Sequence, residues 1–318
     1  MQLQDIAKLA GVSPATASRV FNHHPNVRAE VREQIFAIAK ANGYQPRPSS
    51  KQKNIIIFLP DDQIYPIRNC LEMVMMALTL ELPKRGFRIE VMPLSNLDSM
   101  SSVQFTGAIA IGVANPDDFK TWPDKFSAPL ILVDREAPEN CANVFSVRSN
   151  ESQGMAIAID HLFERGCRKI GAIVYGAPSG GNAAIRKKAI SAALQRRGLP
   201  VNDALVQLCD DEKYVEIIGK MLKQGIDGLF CPGGNAGIIT AYALSLYNKQ
   251  VPDDISLVTS EHKLFSHYAT PPQTTITQDH IGLAGLAADI IESLFDKNPP
   301  KQNSILEYSL IPRDSVVH

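Results

Sequence analysis

The tightest constraint on this chain lies in four consecutive residues, Gly11-Val12-Ser13-Pro14, set between two short amphipathic segments. Glycine lacks a Cβ and enters a left-handed backbone position without strain. Serine caps a helix start by accepting a backbone N–H, and the proline that follows lacks only an N–H that the first turn leaves unused. Before this punctuation, Leu3, Ile6, Leu9 and Ala10 recur at helical spacing. After it, Ala17, Val20 and Phe21 share one face, while Ala15, Thr16, Ser18, Arg19 and Asn22 occupy the others. The pattern predicts two short helices joined by a tight turn, the second with a polar, singly basic outer face. A third helix is expected over 29–42, because Val31, Ile35 and Ile38 fall at i, i+4 and i+7 and Gly43 ends the run.

A helix presented in this way fits the major groove of double-stranded DNA with its N-terminal half. Ala15 and Arg19 lie four apart and share a face. Arg19 can fork onto guanine O6 and N7, which is worth about 1–3 kcal/mol of discrimination, and Ala15 offers apolar contact, for example to a thymine methyl. Pro14 mainly starts the helix, with a base contact as its second reading. Ser13, Thr16, Ser18 and Asn22 suit phosphates, Ser13 also serving as a cap, and Lys8 and Arg28 extend the phosphate-facing set. Charge is distributed accordingly. Residues 1–53 hold eight Lys/Arg against three Asp/Glu, a balance of +5, so the rest carries −6 within a total of −1.

The segment from Asp5 to Pro46 contains Ala-x-Leu-Ala-Gly-Val-Ser-x-Ala-Thr-x-Ser-Arg-Val-x-Asn and leaves through Gly43-Tyr44-Gln45-Pro46. It resembles the headpiece of the LacI/GalR family of bacterial transcription regulators. The resemblance implies a homodimer on a pseudo-palindromic operator and a two-lobed α/β core resembling periplasmic sugar-binding proteins. Two departures stand out. Arg28 occupies the place where the family has a serine cap, which costs about 1 kcal/mol unless Asn26 substitutes. The following stretch, QPRPSSKQK, has no Ala-Arg-x-Leu, and Pro46 and Pro48 resist helix formation. The family's hinge helix and its minor-groove leucine are therefore not expected. Arg47, Lys51 and Lys53 are left as candidate phosphate contacts.

From Asn54 onward, apolar strand-like runs alternate with helical patterns, which predicts two parallel, doubly wound sheets. The runs are 54–59, 88–92, 107–112, 130–133, 143–147, 169–175, 227–231 and 255–259, with helices over 68–83, 151–164, 183–197, 213–223 and 235–247. The expected organisation is an all-α helix-turn-helix domain over 1–46, a short linker over 47–53 and an effector-binding and dimerisation core over 54–318. Lobe 1 is placed at about 54–148 and 278–300, lobe 2 at about 149–277 and 301–318, with chain crossings near 148, 277 and 300. The tail LIPRDSVV resembles the family's closing strand.

Ligands of open α/β sheets bind beyond the C-terminal strand ends, here in the cleft between lobes. NAAIRKKAISAAL resembles the family's arginine-bearing segment and makes Arg186 the first effector candidate, a plain surface cation being the other reading. Glu261 falls where the family has an aspartate. Asp61, Tyr65, Asp134 and Asn235 are further candidates at strand ends, with a plain loop role the alternative. The family's Asn-Asp falls on Gly233-Gly234, and its Asp-Asn becomes Ser149-Asn150, so a sugar effector is not favoured.

No cofactor, metal site or catalytic constellation is expected. His23-His24 has no acid or cysteine at ligand spacing and reads as loop. Cys70, Cys141, Cys167, Cys209 and Cys231 are odd in number, contain no CxxC and suit reduced thiols in the cytoplasm. No targeting or transmembrane segment is read. The Met-rich stretch Met73, Met75, Met76 is a candidate dimer surface or core. The competing reading is a cytosolic small-molecule-binding protein of the solute-receptor type.

Overall fold

The computed structural model describes residues 2–21, 27–44, 53–61, 69–102, 105–176, 181–209, 213–262, 264–295 and 303–317. Asn22, His23, His24, Asn26, Arg47, Lys51 and Tyr65 lie outside the described residues.

Three helices form the N-terminal unit: α1 (Leu3–Leu9), α2 (Pro14–Phe21) and α3 (Ala29–Ala41). Gly11 takes φ +65° between the first two, the left-handed position predicted for it. Ile6, Ala7, Ala10, Ala17, Val20, Phe21, Ile35, Ala39 and Tyr44 form one buried core. The Phe21 ring packs against Phe36 and Tyr44 at 5.7 and 5.6 Å between centroids. Leu9 departs from the expected apolar face and is 56% exposed. At the end of a seven-residue helix the angular drift of the stripe carries this side chain past the core.

The remaining chain builds two six-stranded sheets. The first contains β1 (Asn54–Leu59), β2 (Arg88–Pro93), β3 (Gly107–Ile111), β4 (Leu130–Val133), β5 (Val144–Ser149) and, from far along the chain, β11 (Asn303–Leu306). Its order is β11-β5-β4-β3-β1-β2, parallel throughout. Helices α4 (Asn69–Lys84) and α11 (His280–Phe295) pack on one face through Val74, Leu78, Leu82, Leu283, Ala287 and Ile291. The other face is closed by Phe105, Phe119, Trp122 and Phe126, around the short helix α5 (Trp122–Lys125). Central strands β1, β3 and β4 are buried on both sides, which is why they read as unbroken apolar runs.

The second sheet contains β6 (Ile170–Tyr175), β7 (Val206–Cys209), β8 (Gly228–Cys231), β9 (Ser256–Ser260), β10 (Thr274–Thr277) and β12 (Ser309–Ile311). Its order is β12-β10-β9-β8-β6-β7, and among the described residues only the β10–β12 pairing is antiparallel. Helices α6 (Glu151–Glu164) and α7 (Ala183–Arg196) cover one face, α8 (Tyr214–Lys223) and α9 (Ala236–Leu246) the other. The short helix α10 (Phe265–Tyr268) follows β9. The fold is thus the expected helix-turn-helix unit with a two-sheet α/β body.

The chain passes between sheets three times: after β5, after β10, and between β11 and β12. The last passage was expected near 300; it falls instead between Leu306 and Ser309, because β11 first pairs with β5. The tail resembling a closing strand enters β12 through Leu310 and Ile311.

Candidate functional site

Two places gather the predicted functional residues. The first is the outer face of α2. Ala17, Val20 and Phe21 are buried, so the helix is anchored by one stripe and presents the rest. Ser13, Pro14, Ala15 and Arg19 are exposed, and Thr16 and Ser18 are half-buried. Ser13 Oγ accepts from the Thr16 backbone N–H at 3.0 Å and lies 2.9 Å from Thr16 Oγ1, so the expected cap is formed. Gln34 donates from Nε2 to the Ala10 carbonyl at 3.4 Å and ties α3 to the turn. Arg28 stands at the N-cap of α3 without a side-chain cap bond, as its residue type requires. Lys8, Arg19 and Arg28 are exposed and form no ion pair among the described residues.

The second place is the cleft between the two sheets, where the three chain passages converge. Asp134, just beyond β4, takes φ 60° and is buried. Its Oδ1 accepts from Gln278 Nε2 at 3.1 Å, and that same amide donates to Ser149 Oγ at 3.0 Å. Asn182 Nδ2 lies 3.2 Å from both Asp134 Oδ2 and the Asp134 carbonyl, and 3.0 Å from Glu151 Oε1. Arg186 donates from Nε to Glu151 Oε2 at 2.8 Å and from Nη2 to Oε1 at 2.9 Å, a bidentate pair with side chains 15% and 5% exposed. Arg186 Nη2 also reaches the Tyr308 hydroxyl at 3.3 Å. Arg135 donates to the carbonyls of Val113 and Asp134, both at 2.6 Å.

The passages are themselves tied together. Asn150 donates to Glu307 Oε1 at 3.0 Å, while Gln153 exchanges bonds with the Tyr308 backbone at 3.1 and 2.8 Å. Gly154 makes room for Tyr308: a Cβ there would stand 2.4 Å from the ring.

Electrostatics follow from this burial. Enclosure, then the neighbouring Glu151 carboxylate, push the Asp134 carboxyl up to about 6, against the pull of Arg186 and Arg135. Burial also works against the Arg186 charge, but Glu151, Tyr308 and Asp134 outweigh it and raise its value further. Burial lowers His280, whose Nε2 is enclosed without a hydrogen-bond partner among the described residues.

Of the body candidates, Asp134 and Arg186 are brought into one network. Glu261 is engaged elsewhere, in a bidentate pair with Arg313 at 2.9 Å for each bond and with the Thr275 hydroxyl. Asp61 caps Ser95, accepting from its N–H at 2.8 Å and its hydroxyl at 2.6 Å. Asn235 sits at the start of α9, its enclosed Oδ1 without a partner among the described residues. The sequence reading did not single out Glu151, Asn182, Gln278 or Tyr308. Glu151 had one signal, an acid in a first helical turn, but its partner lies 35 positions away. Of the Met-rich stretch, Met75 packs against the first core, while Met73 and Met76 are 37% and 70% exposed.

Comparison with known proteins matches the chain in two parts. A family model for bacterial regulatory proteins of the lacI family covers residues 2–47, and one for a periplasmic binding protein-like domain covers 159–316. A probable HTH-type transcriptional repressor, ExuR, of Bacillus subtilis is 25% identical over 332 residues, spanning 99% of this chain and 98% of its own. Among solved structures, a transcriptional regulator CelR–cellobiose complex superposes with a TM-score of 0.73 at 21% identity, covering 99% of both chains. A lac repressor dimer bound to operator and the anti-inducer ONPF gives 0.72 at 20% identity, covering 100% of this chain and 99% of the other.

Proposed function

The chain belongs to the LacI/GalR family of bacterial transcription regulators, which bind DNA sequence-specifically, and from that premise we propose that it is a cytoplasmic repressor acting as a homodimer on a pseudo-palindromic operator. The observation that carries this reading is the α2 face. Its apolar stripe is wholly buried, while Ala15 and Arg19 stand exposed beside the Ser13 cap. Arg19 reads guanine and Ala15 an apolar base edge. Ser13, Thr16, Ser18, Lys8 and Arg28 hold the phosphates, together with Asn22 and Arg47 from outside the described residues. Pro14 starts the helix.

One such head buries little surface, and two-fold symmetry doubles its contacts. The body offers faces for a second copy. Met73, Met76 and Leu80 of α4 and Ile281 of α11 are exposed on helices packed side by side. Tyr242 and Leu246 of α9 are exposed as well, together with Leu264 and Tyr268 around α10. The cleft holding Asp134 and Arg186, with Asp61 and Asn235 at neighbouring strand ends, is the place in the body from which a bound group, free or tethered, would act on head spacing. A ligand changes DNA affinity only if it binds the two states unequally.

Selection of bound fragments from a random DNA pool, followed by titration of the best fragment, tests the reading. The expected result is a two-fold-related sequence bound far more tightly than random DNA. Equal affinity for both would overturn it.

A further inference from the structure

Arg186 is a buried guanidinium in the cleft, and its Nε and Nη2 are already engaged. Glu151 accepts from Nε and Nη2 at 2.8 and 2.9 Å, and the second of these nitrogens also meets the Tyr308 hydroxyl. Two parallel N–H···O bonds to one carboxylate are the geometry in which a small-molecule acid would be held. Local structure does not demand the acid. The start of α6 is capped by Asn150, whose side chain accepts from the Gln153 N–H at 3.2 Å, so Glu151 is free to turn inward.

The second acid is equally occupied. Asp134 receives Gln278 on one oxygen and Asn182 on the other, and Asn182 also reaches Glu151. Asp134 follows a strand of the first sheet, Asn182 precedes and Arg186 belongs to a helix on the second, and Gln278 lies in a passage between them. A backbone bond from Gly181 N–H to the Ala114 carbonyl at 3.3 Å adds a further tie across the cleft. The lobes are therefore joined by their own polar groups, with charges matched inside.

Resting on the regulatory reading above, we propose that Glu151 is a built-in occupant of the cleft, a tethered carboxylate that takes Arg186 in place of an effector and, through Asn182 and Asp134, holds the lobes together. A tethered group acts at high effective concentration and loses no translational freedom on binding. A free carboxylate must displace it to take the Nε–Nη2 edge, and a neutral sugar has no charge to exchange for it. His280 Nε2 and Asn235 Oδ1 remain unpartnered, but each is a single neutral acceptor or donor and does not replace a carboxylate on a guanidinium. Operator affinity is accordingly insensitive to neutral sugars and small carboxylates.

The experiment uses the full chain and its Glu151→Ala variant. Melting temperatures are measured with sodium acetate, with D-glucose and with sodium chloride at matched ionic strength. The wild type is expected to show no shift specific to acetate or glucose. Glu151→Ala is expected to melt lower and to recover in acetate but not in chloride, because acetate then fills the vacated fork. Adding Arg186→Met should abolish that recovery. A specific stabilisation of the wild type by acetate or glucose overturns the proposal, as does a folded Glu151→Ala that acetate leaves unmoved. If that variant does not fold, Glu151→Gln decides: its amide turns a donor toward Arg186, so a wild-type melting temperature overturns the proposal. Titration of the selected DNA fragment with each compound adds the functional arm, in which a change in wild-type affinity counts against it. Failure to find any specifically bound fragment would remove the regulatory reading while the melting comparison still decides who occupies Arg186.

Discussion

Arg19 and Arg186 carry the same guanidinium into opposite surroundings. Arg19 stands exposed on α2 with no ion pair among the described residues, whereas Arg186 is sealed against Glu151 with 15% of its side chain exposed. A planar fork of donors left open on an exposed helix face is available to an outside partner. The same fork closed by an internal carboxylate is a structural tie. The chemistry of the residue type does not separate the two; the neighbours brought in by tertiary structure do.

Removing each arginine sharpens this contrast. Arg186→Met strands the Glu151 charge in a buried site, and breaking such a pair costs about 3–5 kcal/mol. Urea unfolding should show this loss, and a variant of wild-type stability would refute the tie. The cleft also sets a pH dependence. Asp134 titrates at about 6 when folded against 3.8 in its ordinary state, so the folded chain retains a proton that the unfolded chain has released. Stability conferred by that proton is present at low pH and declines as pH rises between those values, with a slope of up to about 1.4 kcal/mol per unit. Urea midpoints across this window should fall for the wild type relative to Asp134→Asn; parallel curves would show that Asp134 is not the source.

On the head, Arg19→Ala should weaken the selected operator by about 1–3 kcal/mol and relax one base position without altering thermal stability. Binding titrations against single-base variants would show this, and an unchanged base preference would break the contrast from the other side. Ser13→Ala removes a formed cap and should lower head stability by about 1 kcal/mol, read from its helical signal on melting. Lys8→Ala has the smallest expected effect. It should reduce the salt slope of binding by about one and leave sequence preference alone.

Much of the fold was legible because its signals are local. Gly11-Val12-Ser13-Pro14 punctuates two helices by backbone preference alone, and β1, β3 and β4 announce burial on both faces through uninterrupted apolar runs. What escaped was set by partners distant in sequence. β10 is Thr-Thr-Ile-Thr, and the hydroxyls of Thr274 and Thr275 find the Arg313 carbonyl and the Glu261 carboxylate only once the chain is folded. α11 has small residues scattered through its apolar pattern, and its identity as a core helix rests on the sheet it covers. β11 was hidden because it joins β5 across almost half the chain. In the site, Arg186 was visible from its motif, but that it is already paired was not. Glu151, Asn182 and Tyr308 enter through separate elements, and only folding brings them within 3.3 Å of one another or of Arg186.

The three passages between the sheets have a mechanical consequence. A single covalent connection lets two bodies swing and twist about it freely. Three connections side by side define an axis, and bonds between them, such as Asn150 to Glu307 and Gln278 to Ser149, resist sliding of one past another. Rotation about that common axis remains the softest relative motion of the lobes. The Asp134–Asn182 bridge lies across this motion, so a few hydrogen bonds are placed where they restrain the one large displacement that the backbone leaves available.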